Sequence, residues 1–259
     1  MKLPLLVLLA LLVPGCKILR GRPASLEANE VFVLGTIHGD HVESEPYSLD
    51  RLEGIVRAIN PQLVICEIPP DRFRTAWDEY VREGEVSEPR IALYPEFCKV
   101  LFPMALEGRL RLRPASAWTA DMAEQRSARL AQWKVTRPAD SRLVDDARAR
   151  AERQLDLEGL AGDPVGIHCA RYDELVAEGM APYESFFGRD LGRGGWQQIN
   201  EAHYQLISEE LDRVRGDGIR VLVVFGAWHK YRLRELIGER KDVELSRIGE
   251  VLDALPGVR

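Results

Sequence analysis

Three short apolar runs stand out along this chain, at residues 31–34, 63–66 and 220–225. Each run is rich in branched aliphatic residues and carries almost no polar interruption, which predicts strands that are buried on both faces. Two weaker strands are predicted at residues 110–113 and 243–245. The alternating arginines of the first of these indicate a position at the edge of a sheet.

Between these runs, apolar residues recur at helical spacing. Helices are predicted at residues 49–59, 71–82, 96–107, 196–214 and 231–237. Residues 119–160 are rich in Ala, Arg, Glu and Leu and predict one or two long helices broken near Arg137-Pro138, whereas residues 162–195 hold many turn residues. Strands and helices alternate at both ends of the chain, so we predict an α/β fold. Its central sheet is mainly parallel or mixed and flanked by helices, with a helical insertion at about 119–190.

The amino terminus has the pattern of an export signal. A lysine is followed by an apolar run over residues 3–13 and then by Pro14-Gly15-Cys16. The run is shorter than the roughly 20 residues that a spanning helix needs, and it fits a signal peptide. We therefore predict a signal peptide at 1–15, a tether at 16–29 and a single α/β domain at 30–259.

The cysteine at the end of this signal suggests how the protein is anchored. Cys16 directly after a glycine resembles a bacterial lipobox, in which the cysteine carries the lipid and tethers the domain to a membrane surface. Lys17 is not an aspartate, so we expect the outer membrane facing the periplasm. The alternative is a plain secretory signal and a secreted protein.

The composition and charge of the chain argue against nucleic acid as a partner, and its cysteines indicate little chemistry. With 46% hydrophobic and 29% charged residues the chain has ordinary globular composition, and its net charge of −6 with no cluster of Lys and Arg speaks against nucleic acid as a partner. Cys66 lies in an apolar run and is expected to be buried and inert. A disulfide between Cys98 and Cys169 is permitted by an oxidising compartment but not indicated by spacing.

Two copies of one motif carry the chemistry. One apolar strand leads into Gly35-Thr36-Ile37-His38 and another into Gly226-Ala227-Trp228-His229, although the chain has only five histidines. A third strand ends directly at Glu67. In a parallel sheet all carboxyl ends lie at one edge, where ligands bind. We therefore expect His38, Glu67 and His229 to meet there.

Two imidazoles and one carboxylate form a three-ligand site with open positions, which is typical of a catalytic divalent metal. Mixed nitrogen and oxygen ligands suit Mn, Co, Zn or Fe. The alternative is metal-free chemistry, in which a histidine oriented by the glutamate acts as general base on water.

Further residues extend this hypothesis. Arg72, five residues after Glu67, is a candidate clamp for a substrate carboxylate, and Asn200 reaches the site if the helix before the last long strand packs over it. The other candidates are a fourth ligand or loop histidine at His41, a surface histidine at His203, a structural histidine at His168, and crevice-lining residues at Ser116 and Trp118.

Taken together, the motifs resemble a known family. Val33-Leu34-Gly35-Thr36-Ile37-His38-Gly39, the spacing from Glu67 to Arg72, and Phe225-Gly226-Ala227-Trp228-His229 resemble the TraB/GumN/Tiki group of the wider superfamily that holds ChaN-like haem-binding proteins and erythromycin esterases. The order and separation of the motifs match over most of the predicted domain. Where the group often has Arg-Asn, this chain has Ile199-Asn200.

The resemblance implies an α/β fold and, for Tiki-like members, a metal-dependent peptidase that uses the two histidines and the glutamate. The leading expectation is therefore a lipid-anchored hydrolase acting on a peptide or small-molecule substrate. Two alternatives remain open: a ChaN-like lipoprotein that binds haem or another ligand without catalysis, and a metal-independent esterase.

Overall fold

Five parallel strands form one sheet in the computed structural model of the protein, which describes residues 27–255. The strands are β1 (Asn29–Thr36), β2 (Leu63–Cys66), β3 (Arg111–Pro114), β4 (Arg220–Gly226) and β5 (Val243–Leu245). Their spatial order is β3-β2-β4-β1-β5, and every pairing is parallel. The predicted α/β fold is confirmed, and the weak third strand lies at an edge as its exposed arginines indicated.

Helices cover both faces of this sheet. They are α1 (Leu49–Ile59), α2 (Pro70–Glu83), α3 (Pro89–Ala92), α4 (Phe102–Leu106), α5 (Ala120–Thr136), α6 (Pro138–Leu157), α7 (Pro164–Ile167), α8 (Ala170–Tyr183), α9 (Arg189–Leu191), α10 (Trp196–Arg213), α11 (Lys230–Gly238) and α12 (Ile248–Ala254). One 3-10 turn spans His38–Val42 and another Gly192–Gly194, and single π-helical turns span Glu96–Leu101 and Glu184–Gly188.

The two faces explain why the strand sequences are continuously apolar. Val31 and Val33 of β1 lie in a core cluster with residues of α10 and α11, whereas Phe32 and Leu34 point into a larger cluster on the opposite face. Burying one such side chain stabilises a fold by roughly 1.5–3 kcal/mol, so a strand covered on both sides has no position at which a polar residue is favoured.

The middle of the chain forms a helical layer of α5, α6 and α8. The break between α5 and α6 falls at the predicted Arg137-Pro138. Helix α8 lies within the predicted helical insertion, although the many turn residues of 162–195 gave no bounds for a helix at Ala170–Tyr183. Its Gly179 is explained by close packing, because a Cβ there would lie 2.7 Å from Cβ of Ala151 on α6.

The predicted boundary between the tether and the domain differs in the structure. Asn29, assigned to the tether, is the first residue of β1, and Glu27 already bridges to Asp217. The predicted signal peptide, Cys16 and most of the tether lie outside the described residues. Within residues 27–255, no helix combines the length and apolar character that crossing a membrane requires.

The three cysteines within residues 27–255 are free thiols. Cys66 is buried as expected, and burial raises the pKa of its thiol to about 12, which keeps it protonated and unreactive. Cys98 and Cys169 are both free, so the structure contains no disulfide between them.

Gly35 marks the point where β1 comes closest to its neighbours. A Cβ on this residue would lie 2.9 Å from Cα of Ala227 and 3.2 Å from Cγ2 of Ile167. Its N–H donates to Nε2 of His168 at 3.0 Å, and Nδ1 of that ring lies 2.6 Å from the carbonyl oxygen of Pro164. His168 is thus a structural residue, held neutral between two backbone groups, and its burial lowers its pKa to about 3.

We expect Gly35→Ala to lower the free energy of unfolding by about 1–3 kcal/mol, because the added methyl group meets backbone that cannot move aside. Gly54→Ala is the matched control: it lies within α1 with open space around it, and should raise stability by about 0.5–1 kcal/mol. Urea denaturation measures both. Equal stability of the wild type and Gly35→Ala would contradict the close approach.

Candidate functional site

Three side chains meet at the carboxyl edge of the sheet, as the sequence predicted. Pairing of the central strands sets Thr36 opposite Gly226 and Cys66 opposite Val224, so the residues that come after β1, β2 and β4 are neighbours. Nε2 of His38 lies 3.8 Å from Oε2 of Glu67, and Nε2 of His229 lies 4.0 Å from Oε1 of the same carboxylate. Glu67 therefore stands between the two histidines.

The second nitrogen of each ring is held by an oxygen acceptor. Nδ1 of His38 lies 2.6 Å from Oε1 of Glu96, and Nδ1 of His229 lies 2.8 Å from Oδ1 of Asn200. The amide of Asn200 is oriented by its own Nδ2, which donates to the carbonyl oxygen of Trp196 at 2.7 Å. Both Nδ1 atoms must then donate, which leaves Nε2 of each ring as the nitrogen that faces Glu67.

Backbone geometry brings these groups together at a cost. His38 has a φ of 51°, in the left-handed region that few non-glycine residues adopt, and such strain costs on the order of 1–3 kcal/mol. Gly226 permits the approach of the ring, since a Cβ there would lie 2.5 Å from Nε2 of His38. The Gly226 N–H also donates to Oε2 of Glu67 at 2.7 Å. Gly226, the glycine of the second Gly-x-x-His motif, therefore makes room for His38 and also holds Glu67.

The electrostatics of the two histidines differ. Burial lowers the pKa of His38, but the hydrogen bond and charge of Glu96, together with the charge of Glu67, outweigh it, and the pKa lies above its usual value. For His229 burial prevails over the charge of Glu67 and lowers the pKa. One ring therefore tends to carry a positive charge between two carboxylates, and the other is neutral.

A third histidine belongs to the same cluster. Glu67, His203 and His229 offer ligand atoms that all lie within 4.8 Å of one another, so this group could hold a metal ion. His203 is fully buried on α10, its ring centroid 5.1 Å from that of His229. The expectation of a surface histidine was wrong, because the polar-looking face of this helix packs onto the sheet edge.

The protonation of His203 limits its role. The N–H of Ala117 donates to Nδ1 of His203 at 2.9 Å, so the proton of the neutral ring is on Nε2, and burial holds the pKa well below its usual value. In this tautomer Nε2 of His203 carries a proton, so it can donate a hydrogen bond but has no free lone pair for a metal ion. Nε2 of His38 is free of such a constraint, but His38 does not belong to the group of ligand atoms within 4.8 Å of one another.

Glu96 was missed by the sequence interpretation. It is fully buried on the π-helical turn before α4, and its Oε1 also accepts from the hydroxyl of Thr36 at 3.1 Å. Only its place at the start of a predicted helix, among residues of low polarity, could have drawn attention to it.

The other candidates have different positions. Arg72 forms an ion pair with Glu88 and, within residues 27–255, no hydrogen bond to Glu67, whereas Asn200 acts through His229. His41 is buried, with Nδ1 2.6 Å from the Tyr47 carbonyl and Nε2 accepting from the Ile37 N–H, so it is neither a loop histidine nor a free ligand.

A cavity of about 860 Å³ opens over the cluster. His38, Glu67 and His229 form its floor, and the helical layer of α5, α6 and α8 forms much of the opposite wall. Trp118 lines it as expected, whereas Ser116 is buried beneath. The side chain of Glu67 is 10% exposed, so a molecule in the cavity can reach it.

Fold and site together define an α/β protein with a His/Glu cluster capable of binding metal at the carboxyl ends of its parallel strands. Comparisons of the chain with protein-family models, with curated proteins and with solved structures gave no significant match. The function must therefore be inferred from the geometry and chemistry of the site itself.

Asn200→Leu should change the tautomer of His229, because the variant removes the acceptor that holds the proton on Nδ1. Long-range ¹H–¹⁵N correlation spectra of the metal-free protein should show Nδ1–H in the wild type and a shift toward Nε2–H in the variant. Asn200→Asp keeps the acceptor and serves as the control, with His168 as the internal reference. An unchanged His229 tautomer in Asn200→Leu would show that the amide does not position the ring.

Proposed function

We propose that this protein is a lipid-anchored, metal-dependent, peptidase-like hydrolase, with His38, Glu67 and His229 as ligands of a divalent metal. The metal is Mn, Co, Zn or Fe, since all four accept mixed imidazole and carboxylate ligands. The proposed substrate is a peptide or another small molecule that enters the cavity above the cluster.

The observation that carries this proposal is the spacing around Glu67. Its oxygens lie 3.8 and 4.0 Å from Nε2 of His38 and His229, which is too long for hydrogen bonds. Two ligands each about 2.1 Å from one ion are separated by at most about 4.2 Å, so each distance is compatible with a cation shared between Glu67 and that imidazole. Binding by both histidines at once requires His38 to move closer, because His38 lies outside the group of mutually close ligand atoms.

The protonation pattern supports the same conclusion. Each Nδ1 donates to a fixed oxygen, which is the arrangement typical of metal-ligating histidines. The raised pKa of His38 indicates that a positive charge is favoured between Glu67 and Glu96. A divalent ion would supply that charge and displace the proton from Nε2.

The chain's own residues have distinct roles in this proposal, given by their contacts. Glu96 and Asn200 hold the two imidazoles, and Gly226 fixes Glu67 through its N–H. A metal in this position supplies Lewis acidity and lowers the pKa of water. Glu67 ligates or acts as base, and the helical wall shields the reacting groups from bulk water.

The size of the cavity also favours a second candidate. A volume of about 860 Å³ with aromatic side chains in its wall would accommodate a sizeable organic ligand. In that case the protein binds haem or a similar molecule without catalysis. Haem bound to the purified protein would be visible as an absorption band.

We expect the EDTA-treated protein to take up about one divalent ion per chain. Equilibrium dialysis against Mn²⁺, Co²⁺ and Zn²⁺ with elemental analysis measures the uptake. His38→Ala, His229→Ala and Glu67→Gln should each weaken binding at least about tenfold, because each removes a ligand. Glu209→Gln, an exposed carboxylate of α10, is the matched control and should bind as the wild type does.

Two variants separate the alternative ligand sets. His203→Phe should retain most of the metal if His38 is the third ligand, whereas strong loss in His203→Phe with retention in His38→Ala would assign that place to His203. Equal and negligible metal in all variants and the wild type would refute the metal site. Hydrolysis of peptide and ester substrates that persists in EDTA would favour the metal-free esterase.

The lipid anchor is a separate proposal that rests on the sequence before Cys16. In bacteria expressing the full chain, labelled palmitate should be incorporated into the wild type and into Cys98→Ser but not into Cys16→Ser. The lipid is attached to the thiol of the first residue after cleavage, so only this cysteine should matter. Incorporation into Cys16→Ser would exclude a lipobox.

A further inference from the structure

Three arginines line the cavity that opens over the cluster. Arg90, Arg126 and Arg148 all contribute to its wall, although the chain as a whole is acidic. Arg148 is neutralised locally, since its Nε lies 3.1 Å from Oε1 of Glu152. The other two differ: within residues 27–255, neither Arg90 nor Arg126 forms an ion pair with a carboxylate.

Arg126 is held in place by groups that do not cancel its charge. Its Nε donates to the hydroxyl of Tyr183 at 2.8 Å, and its Cζ lies 5.3 Å from the ring centroid of Tyr183 and 5.8 Å from that of Trp118. Contacts with aromatic rings fix a guanidinium without supplying an anion. The two terminal nitrogens, Nη1 and Nη2, have no partner in the described part of the chain and remain available as a fork of donors.

Arg90 stands beside the same tryptophan. Its Nη1 lies 3.5 Å from the carbonyl oxygen of Trp118, which places both arginines around that residue. Four acidic side chains also line the cavity. Glu152 pairs with Arg148, Glu67 lies between the two histidines, and Asp40 and Asp156 pair with neither Arg90 nor Arg126. Within residues 27–255, the guanidinium groups of Arg90 and Arg126 therefore have no direct carboxylate partner.

We propose that Arg90 and Arg126 form a subsite for an oxyanion, so that the substrate of this cavity carries a carboxylate or phosphate group bound beside Trp118. Planar guanidinium groups bind such oxyanions through paired hydrogen bonds. The proposal rests on the proposed function in one respect: it takes the His38/Glu67/His229 cluster as the place of reaction. The arginines would then orient the rest of the substrate over that cluster.

The test uses metal-free protein, so that anions cannot bind through an ion. Isothermal titration compares an acetylated tetrapeptide having a free carboxyl terminus with its amide, and phenyl phosphate with phenol. The wild type should bind at least one anionic member more tightly than its neutral partner. Arg126→Gln and Arg90→Gln should each weaken that binding about tenfold or more, since charged hydrogen bonds are lost.

Controls separate charge from folding. Arg142→Gln removes an exposed arginine of α6 outside the cavity and should bind as the wild type does. Arg126→Lys keeps the charge without the fork and should bind with intermediate affinity, which a merely misfolded variant would not. Preference for the peptide carboxylate or for the phosphate identifies the source of the anion, and either supports the subsite.

Two results would overturn the proposal: equal affinity for anionic and neutral probes, or undiminished anion binding in both folded arginine-to-glutamine variants. Failure of metal uptake would leave this outcome unaffected, because the titration contains no metal. Conversely, a protein that binds metal but shows no anion preference would retain its hydrolase assignment and lose only the subsite.

Discussion

β1 and β4 pair in parallel from Glu30 opposite Arg220 to Thr36 opposite Gly226, and the candidate site depends on this register. It brings two separate Gly-x-x-His turns, almost 200 residues apart in the chain, to the same height on one edge. A slip of one residue would turn every side chain of β1 to the opposite face of the sheet and move the two histidines about 3.3 Å out of step. The hydrophobic core on both faces makes such a slip costly, so core packing also fixes the chemistry.

The second constraint is electrostatic. Glu67 and Glu96 place two carboxylates around His38, and Glu96 is fully buried. Buried carboxylates need a compensating positive charge or hydrogen bonds. A proton on His38 supplies part of this positive charge, and a divalent ion between His38, Glu67 and His229 would supply more of it. The strained φ of His38 and the bare backbone of Gly226 are what this arrangement requires from the chain.

The sequence allowed much of this to be predicted. The strands and their mainly parallel direction follow from the alternation of apolar runs with helices. The meeting of His38, Glu67 and His229 follows from the rule that the carboxyl ends of parallel strands share an edge. The bounds of helix α8 inside the predicted helical insertion could not be predicted, because Gly179 and Pro182 lower helical propensity and only contact with Ala151 of α6 reveals why the glycine is there.

Partners of the site were harder to predict than its central residues. His203 and Glu96 carry no motif, and each is significant only through what it touches in three dimensions. The helical face that holds His203 looks polar in sequence because it packs against other polar groups instead of apolar core. Local patterns report burial in hydrocarbon well, but they cannot distinguish a buried polar cluster from a solvated surface.

The helical insertion links the chemistry of the edge to the choice of substrate. No residue of α5 is fully buried, and its apolar contact with the core comes from the partly buried Leu130 and Trp133. The bond from Arg126 to Tyr183 additionally joins α5 to α8, and α8 packs tightly on α6 at Gly179. The same arginine that faces the cavity therefore also helps to position the wall. A substrate anion bound beside Trp118, as proposed, would therefore meet an arginine that also contacts α8.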